Sequence, residues 1–419
     1  MKYDDTIVRE FNMPEGSIFK RLAYIMSFVG AGSVLMSAVM GPGTLASVAT
    51  AGADFGYSLL WIIILSGIMS GFVAYVGGKV AAVKKVNVFE FLSQEISPVF
   101  AKVLLTVVLI TWYMVIFAQG VAMLDLVKYI SGLDGMAATI IFILIVVLAG
   151  YIFTKGKSST IKLASAMVTI TAVLYLVNIV YVKPDVKSIT SGLVPNLPSA
   201  ASAMVVAAII GGSSPGTSAL WYSFSVKDSK FTSPKNLRFI AWDQIYFTLT
   251  FTIFSVGAYL SAAQVLHPAG VEVTSALSAA KSLEPIAGAF AKWVFSAGFF
   301  GALFTTIGGM STIGSYGITS LFDLGESLDD KKVKNLVWLG ILVVLLGGLV
   351  AGAAMKVLVN FIGLLNVGGF IIILILTYYT SSEKFFGEYK NKWYTTLMCI
   401  VITLFNFYSV VIYIKRFLG

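Results

Sequence analysis

Charge, cysteine and histidine are all scarce in this chain of 419 residues. Only 12% of its residues are charged, against about 25% in an ordinary soluble domain. Hydrophobic residues make up 58%, too many for a soluble protein to cover, so lipid must do the covering. With Cys399 as the single cysteine, no intramolecular disulfide can form and no redox compartment can be read. His267 is the single histidine, which rules out a histidine metal cluster or histidine proton relay by counting. No glycine-rich phosphate loop is present, so ATP hydrolysis by this chain cannot drive a process. No nucleophile–base pair, metal motif or paired carboxylates are set to meet within the bilayer. The chain is therefore not expected to be an enzyme, and no catalytic residue, metal ligand or cofactor is assigned. The first 20 residues are polar and mixed in charge (Lys2, Asp4, Asp5, Arg9, Glu10, Glu15), so no cleavable signal peptide is expected.

What the chain has instead is long apolar runs. A helix needs about 20 apolar residues to cross the hydrocarbon layer. Eleven segments qualify: 24–52, 56–82, 99–127, 136–154, 159–182, 201–225, 237–264, 287–321, 334–353, 357–380 and 394–414. Alternating strands of a closed barrel are not seen, which leaves helices as the only way to satisfy the backbone in lipid. The expectation is an all-α, polytopic membrane protein of 11 transmembrane helices with no soluble domain.

Basic residues exceed acidic ones, 29 to 20. They sit in short runs between apolar segments, which argues against nucleic acid. With the N-terminus inside, the inner side holds 21 Lys and Arg (Lys84, Lys85, Lys227 and Lys331 among them) and the outer side 8. That bias follows the positive-inside rule. It predicts a multi-pass protein of the cell membrane, N-terminus cytoplasmic and C-terminus outside. The oligomeric state is left open, a monomer being compatible with everything read so far.

Two segments carry proline and glycine together in mid-run. The first reads Met40-Gly41-Pro42-Gly43-Thr44, and the sixth Gly211-Gly212-Ser213-Ser214-Pro215-Gly216-Thr217-Ser218. Proline removes a donor and clashes with the preceding turn, while glycine permits unwinding, so each span is expected to break into half-helices. Segments one and six would begin two five-helix halves of opposite topology, about 24–182 and 201–380, with 394–414 as an additional helix. Matching Gly/Pro breaks in two such halves point to a transporter's binding site. The substrate-binding residues expected are Gly41, Pro42, Gly43, Thr44, Gly211, Ser213, Ser214, Pro215, Gly216 and Thr217. Exposed amides at half-helix N-termini suit anions, and exposed carbonyls at the other ends suit a cation or ammonium group.

Several stretches resemble the NRAMP divalent-metal transporters, and the likeness covers nearly the whole chain. They are Gly32-Ser33-Val34-Leu35-Met36-Ser37, Ala51-Gly52-Ala53-Asp54-Phe55-Gly56-Tyr57-Ser58-Leu59-Leu60-Trp61, Lys183-Pro184-Asp185, Gly192-Leu193-Val194-Pro195, and Gly308 with Ser311-Thr312-Ile313. The resemblance implies the inverted-repeat fold of the leucine transporter and alternating access. It also implies a coupling-ion position on the eighth helix, where Thr305, Thr306, Ser311 and Thr312 stand. Their plainer role is hydrogen bonding within or between helices.

The family's metal signature is replaced. Its Asp-Pro-Gly-Asn reads Gly41-Pro42-Gly43-Thr44 here, its Met-Pro-His reads Ser214-Pro215-Gly216, and its second histidine falls at Trp221. The acidic residues of its third helix are replaced in Phe117-Ala118-Gln119-Gly120, which removes that proton route. Asp54, Asp125, Asp243 and Asp323 lie near predicted helix ends and are expected as interfacial or helix-end groups. Gln119, Asn178, Asn360 and Asn366 are expected to join helices. From these departures the leading expectation is a secondary transporter, by symport, of a small polar organic solute or anion such as an amino acid. The alternatives are a divalent-metal carrier holding magnesium or manganese through carbonyls and waters, and a non-transporting sensor or scaffold.

Overall fold

A computed structural model describes residues 14–17, 20, 35, 38–155, 170, 173–177, 179–181, 183–213, 215–274, 278, 291–325, 330–350 and 354–418. Every regular element among the described residues is helical. Eight helical stretches there are long and apolar enough to cross a membrane: Leu60–Lys84, Pro98–Ser131, Gly135–Lys155, Ala200–Asp228, Pro234–Val265, Ser296–Leu321, Val359–Ser381 and Trp393–Lys415. Of the eleven expected segments, the fifth falls largely outside the described residues, and the first is described at Leu35 and from Ala38 onward. The ninth is a helix, Lys331–Gly348, whose first turns carry Lys331, Lys332 and Lys334.

The helices used below are α1 Pro42–Phe55, α2 Leu60–Lys84, α3 Pro98–Ser131, α4 Gly135–Lys155, α5 Ala200–Ser213, α6 Pro215–Asp228, α7 Leu237–Val265, α8 Ala291–Leu321, α9 Lys331–Gly348, α10 Ala354–Ile362, α11 Asn366–Ser381 and α12 Trp393–Leu418. The punctuation of α3 follows from its sequence. Pro98 opens it, where a missing N–H costs nothing, and Gly132 closes it at φ 69°, its N–H bonded to the Lys128 carbonyl at 2.9 Å. Its 34 residues extend about 51 Å, well beyond the hydrocarbon layer. Outside the bilayer, Asp185 caps the short helix Val186–Gly192 by accepting from the Ser188 N–H at 2.9 Å and hydroxyl at 2.7 Å. Those bonds hold its carboxyl below the usual carboxylate range.

The sixth segment is helical on either side of Ser214, over Ala200–Ser213 (α5) and Pro215–Asp228 (α6), and Ser214, where the break is expected, lies outside the described residues. In the first, α1 starts at Pro42 behind an extended Gly41 (φ −115°, ψ −173°). One local departure was not anticipated. In the tenth segment the helix winds more tightly over Gly363–Leu365, between α10 and α11, with Ile362, Leu365 and Asn366 still in right-handed helical backbone. Gly211 of α5 packs directly on this turn, with no room for a β-carbon between Gly211 and the Ile362 carbonyl.

Between helices in lipid there is little hydrophobic driving force, so small residues that let backbones approach supply the contact. Gly216, at the start of α6, lies against the backbone of Gly369 in α11. Gly120 of α3 lies against the Val344 carbonyl, and Gly347 of α9 against that of Phe117. Gly212, by contrast, has ordinary space, its nearest neighbours to an added β-carbon lying at 3.4 Å. Gly216→Ala is therefore expected to lower stability by about 1–3 kcal/mol, and Gly212→Ala to be tolerated, when melting of the two variants is compared in detergent.

Candidate functional site

The two Pro-Gly segments meet. The Thr44 hydroxyl, in the first turn of α1, donates to the Val39 carbonyl at 2.6 Å and lies 3.2 Å from the Gly212 carbonyl of α5. One hydroxyl thus touches the backbone of both segments. The first turn of α1 offers amides with no partner within the helix and so carries partial positive charge.

At this junction lies an internal cavity of about 10 Å³, room for about one water-sized body. Gly41, Gly43 and Thr44 line it from the first break, Gly212 from the sixth segment, and Ile362 and Leu365 from the turn region of the tenth. The remaining wall comes from α3 (Trp112, Val115, Gln119) and α8 (Thr306, Met310). Gln119 is 1% exposed and Thr306 1%, yet Gln119 Oε1 and Thr306 Oγ1 have no hydrogen-bond partner. A buried polar atom left so costs about 1–3 kcal/mol. Gln119 Nε2 points at Met310 Sδ, 3.9 Å away. The Trp112 indole N–H donates to the Met310 carbonyl at 2.9 Å and anchors α8 at that level. Among the described residues no carboxylate lines the cavity, and no three His, Cys, Asp or Glu side chains gather for a metal.

Several expected site residues lie elsewhere. The Ser213 hydroxyl donates back to Ile210 at 2.9 Å, and the Ser213 carbonyl accepts from Ser70 at 2.5 Å. Gly211 and Gly216 are used up in backbone packing against the tenth segment. Pro42, Pro215 and Thr217 are buried beside the cavity without lining it. Ser214 falls outside the described residues. On α8, Thr305 donates to its own helix at Ala302 (3.1 Å), and Ser311 packs against Gly340 of α9. Thr312, 7% exposed, is likewise absent from the lining. Only Thr306 of those four reaches the cavity, because i and i+4 bring Thr306 and Met310 onto one helix face.

Two expectations about polar residues need correction. Gln119 is not simply a link between helices, since its amide borders the cavity. Asp243 is not interfacial: it is fully buried and accepts a hydrogen bond from the Tyr222 hydroxyl at 2.7 Å. Gly78 of α2 makes room for that tyrosine ring. Asn366 does join helices, donating to the Ala207 carbonyl at 3.0 Å. Asn178 lies outside the described residues. Asp323 is exposed as expected, its carboxylate 3.7 Å from Lys102.

On one side of the cavity runs a row of aromatic rings. Trp112 meets Trp221 at 5.0 Å between centroids, Trp221 stacks on Phe224 at 6.0 Å, and Phe224 stacks on Tyr316 at 6.0 Å. The Tyr316 hydroxyl donates to Asp228 at 2.9 Å. The row ties α6 to α3 and α8. Met310 and the Gly363–Leu365 turn were missed from sequence. Gly363 and Asn366 inside one apolar run were the available signal for the turn; a methionine in a membrane helix carries none.

A sequence model described as "Natural resistance-associated macrophage protein-like" matches residues 32–414. A Deinococcus radiodurans protein named divalent metal cation transporter MntH is 27% identical over 197 residues, 45% of this chain and 43% of that protein. Its Klebsiella pneumoniae namesake is 23% identical over 200 residues, 44% of this chain and 45% of that protein. These alignments span less than half the length of either relative. In fold, the chain is similar to a crystal structure of an Eremococcus coleocola manganese transporter mutant (TM-score 0.75, 17% identity, covering 99% of this chain and 92% of that one). It is also similar to MhsT in complex with L-phenylalanine (TM-score 0.60, 14% identity, covering 91% and 97%).

If the Thr44 hydroxyl joins the two breaks, Thr44→Val should lose about 0.5–1.5 kcal/mol and Thr44→Ser should keep wild-type stability. Thermal unfolding of the three proteins in one detergent checks this, and equal melting of Thr44→Val and wild type would contradict it.

Proposed function

The chain belongs to the Natural resistance-associated macrophage protein-like family, and on that premise we propose that it is a secondary transporter carrying a divalent metal cation by alternating access. The observation that carries the choice of cargo is the size of the cavity. It has a volume of about 10 Å³, enough for one ion or water and several times too small for an amino acid. The printed names of the relatives, divalent metal cation and manganese transporters, point the same way.

The reading must cope with a neutral lining. Magnesium and calcium favour carboxylate oxygens, and none is offered. A dication here keeps part of its water shell and takes the backbone carbonyls at the first and sixth breaks, Gly212 among them, as further oxygens. The electrostatic work is spread over these carbonyl dipoles.

The proposal includes the eleven spans in two inverted five-helix halves, about 24–182 and 201–380, with the N-terminus in the cytoplasm. The contact of Thr44 with Gly212, which joins the two Pro-Gly segments, and the uneven distribution of Lys and Arg support it. The organic-solute or anion reading keeps one observation in its favour, the absence of any carboxylate from the lining.

Purified protein in liposomes should take up Mn²⁺ saturably at micromolar concentration, and amino acids should neither compete nor accumulate. Accumulation of an amino acid or organic acid with no metal flux would transfer the assignment to the organic cargo. Absence of flux for both would leave the sensor or scaffold.

A further inference from the structure

We infer that a crevice between α2 and α7 is a binding site for an anionic phospholipid, one acyl chain lying in the crevice and the phosphate meeting Arg238. The crevice shares no lining residue with the central cavity, so the inference holds whatever the cargo.

The two helices run antiparallel: Gly67 of α2 lies against Thr252 of α7, Gly71 against Thr248 and Gly78 against Ile240. Beside this contact they part over a crevice of about 300 Å³. Its walls are Ile68, Phe72 and Tyr75 from α2 and Ala241, Ile245 and Leu249 from α7. Both helices are long and apolar enough to cross the membrane, and Ile68, Ile245 and Leu249 are exposed. What they face is therefore hydrocarbon and not water. An apolar crevice opening there is filled by an acyl chain.

Three polar groups at one end of the crevice select the headgroup. Gln244 also lines it, is 3% exposed, and has no hydrogen-bond partner for either Oε1 or Nε2. Its N–H is a donor for a glycerol-ester carbonyl, the group that stands between chain and phosphate. Arg238, in the first turn of α7, is exposed and lies about 9 Å from Gln244 along the axis. The spacing Arg238, Ala241, Ile245, Leu249 puts the arginine on the crevice face of its helix. It makes no ion pair among the described residues, which leaves its planar fork open to a phosphate. On α2, Lys79 follows Tyr75 by four residues, one turn nearer the same end. It is 6% exposed, donates to Asn391 Oδ1 at 3.0 Å and lies 5.8 Å from the centre of the Phe386 ring. No carboxylate pairs with it among the described residues. A buried ammonium without a counter-charge makes this end of the crevice positive. Basic groups at the membrane-surface end of a pocket between spanning helices suit an anionic lipid headgroup.

The test is native mass spectrometry of the purified, delipidated full chain with added phosphatidylglycerol, phosphatidylcholine of the same chains, or glycerol phosphate alone. Wild type should retain one phosphatidylglycerol, held about tenfold or more tighter than phosphatidylcholine. Arg238→Gln should weaken phosphatidylglycerol about fivefold and leave phosphatidylcholine unchanged. Ala241→Phe, which fills the place of the chain, should weaken both lipids. Arg238→Gln changes an exposed side chain and decides alone if Ala241→Phe does not fold. Equal retention of the two lipids by wild type, or a wild-type preference in Arg238→Gln, overturns the inference. So does undiminished lipid retention in a folded Ala241→Phe, or glycerol phosphate binding as tightly as the lipid, since the chain would then contribute nothing.

Discussion

A peptide group without a partner is expensive inside a bilayer, and the interior of this molecule is arranged around that expense. The start of α1 behind an extended Gly41 frees backbone in the first segment. That break is packed against the sixth segment, with the Thr44 hydroxyl reaching the Val39 and Gly212 carbonyls. Around that contact Gly211 and Gly216 press onto the tenth segment, which winds more tightly at Gly363–Leu365. The cavity lies where these segments meet α3 and α8.

Seen this way, the replaced signature residues form a connected set. The β-carbon of an aspartate at position 41 would strike Thr306, and any side chain at position 216 would strike Gly369. Trp221 fills its place by packing between Trp112 and Phe224. At these positions small residues and a ring stand, and the space that larger side chains would need at Gly41 and Gly216 is occupied by neighbours. Restoring a single ligand would not restore the arrangement, because its neighbours would have to move as well.

The aromatic row bears on movement. It connects α6 to α3 and α8 through four stacked or tilted rings and ends in the Tyr316–Asp228 hydrogen bond. In alternating access, one group of helices rocks against another around a fixed site. The row closes that side of the site, with Trp112 of α3 and Tyr316 of α8 holding Trp221 and Phe224 of α6 between them.

Much of this was legible in the residues. Membrane class, helical content and the break at Gly41-Pro42 follow from composition and local stereochemistry, which need no knowledge of neighbours: a run of apolar residues must be helical in lipid, and Pro42 opens a new helix behind an extended Gly41. Which side chains reach the cavity was decided only by the tertiary structure. Ser213 and Thr305 look like ligands in sequence but bond to their own helices. Met310 and Gln119 look like filler and face the cavity. The reason is geometric: a residue's direction depends on how helices remote in sequence are rotated against each other, and that rotation is set by contacts such as Gly216 on Gly369, which no local pattern encodes.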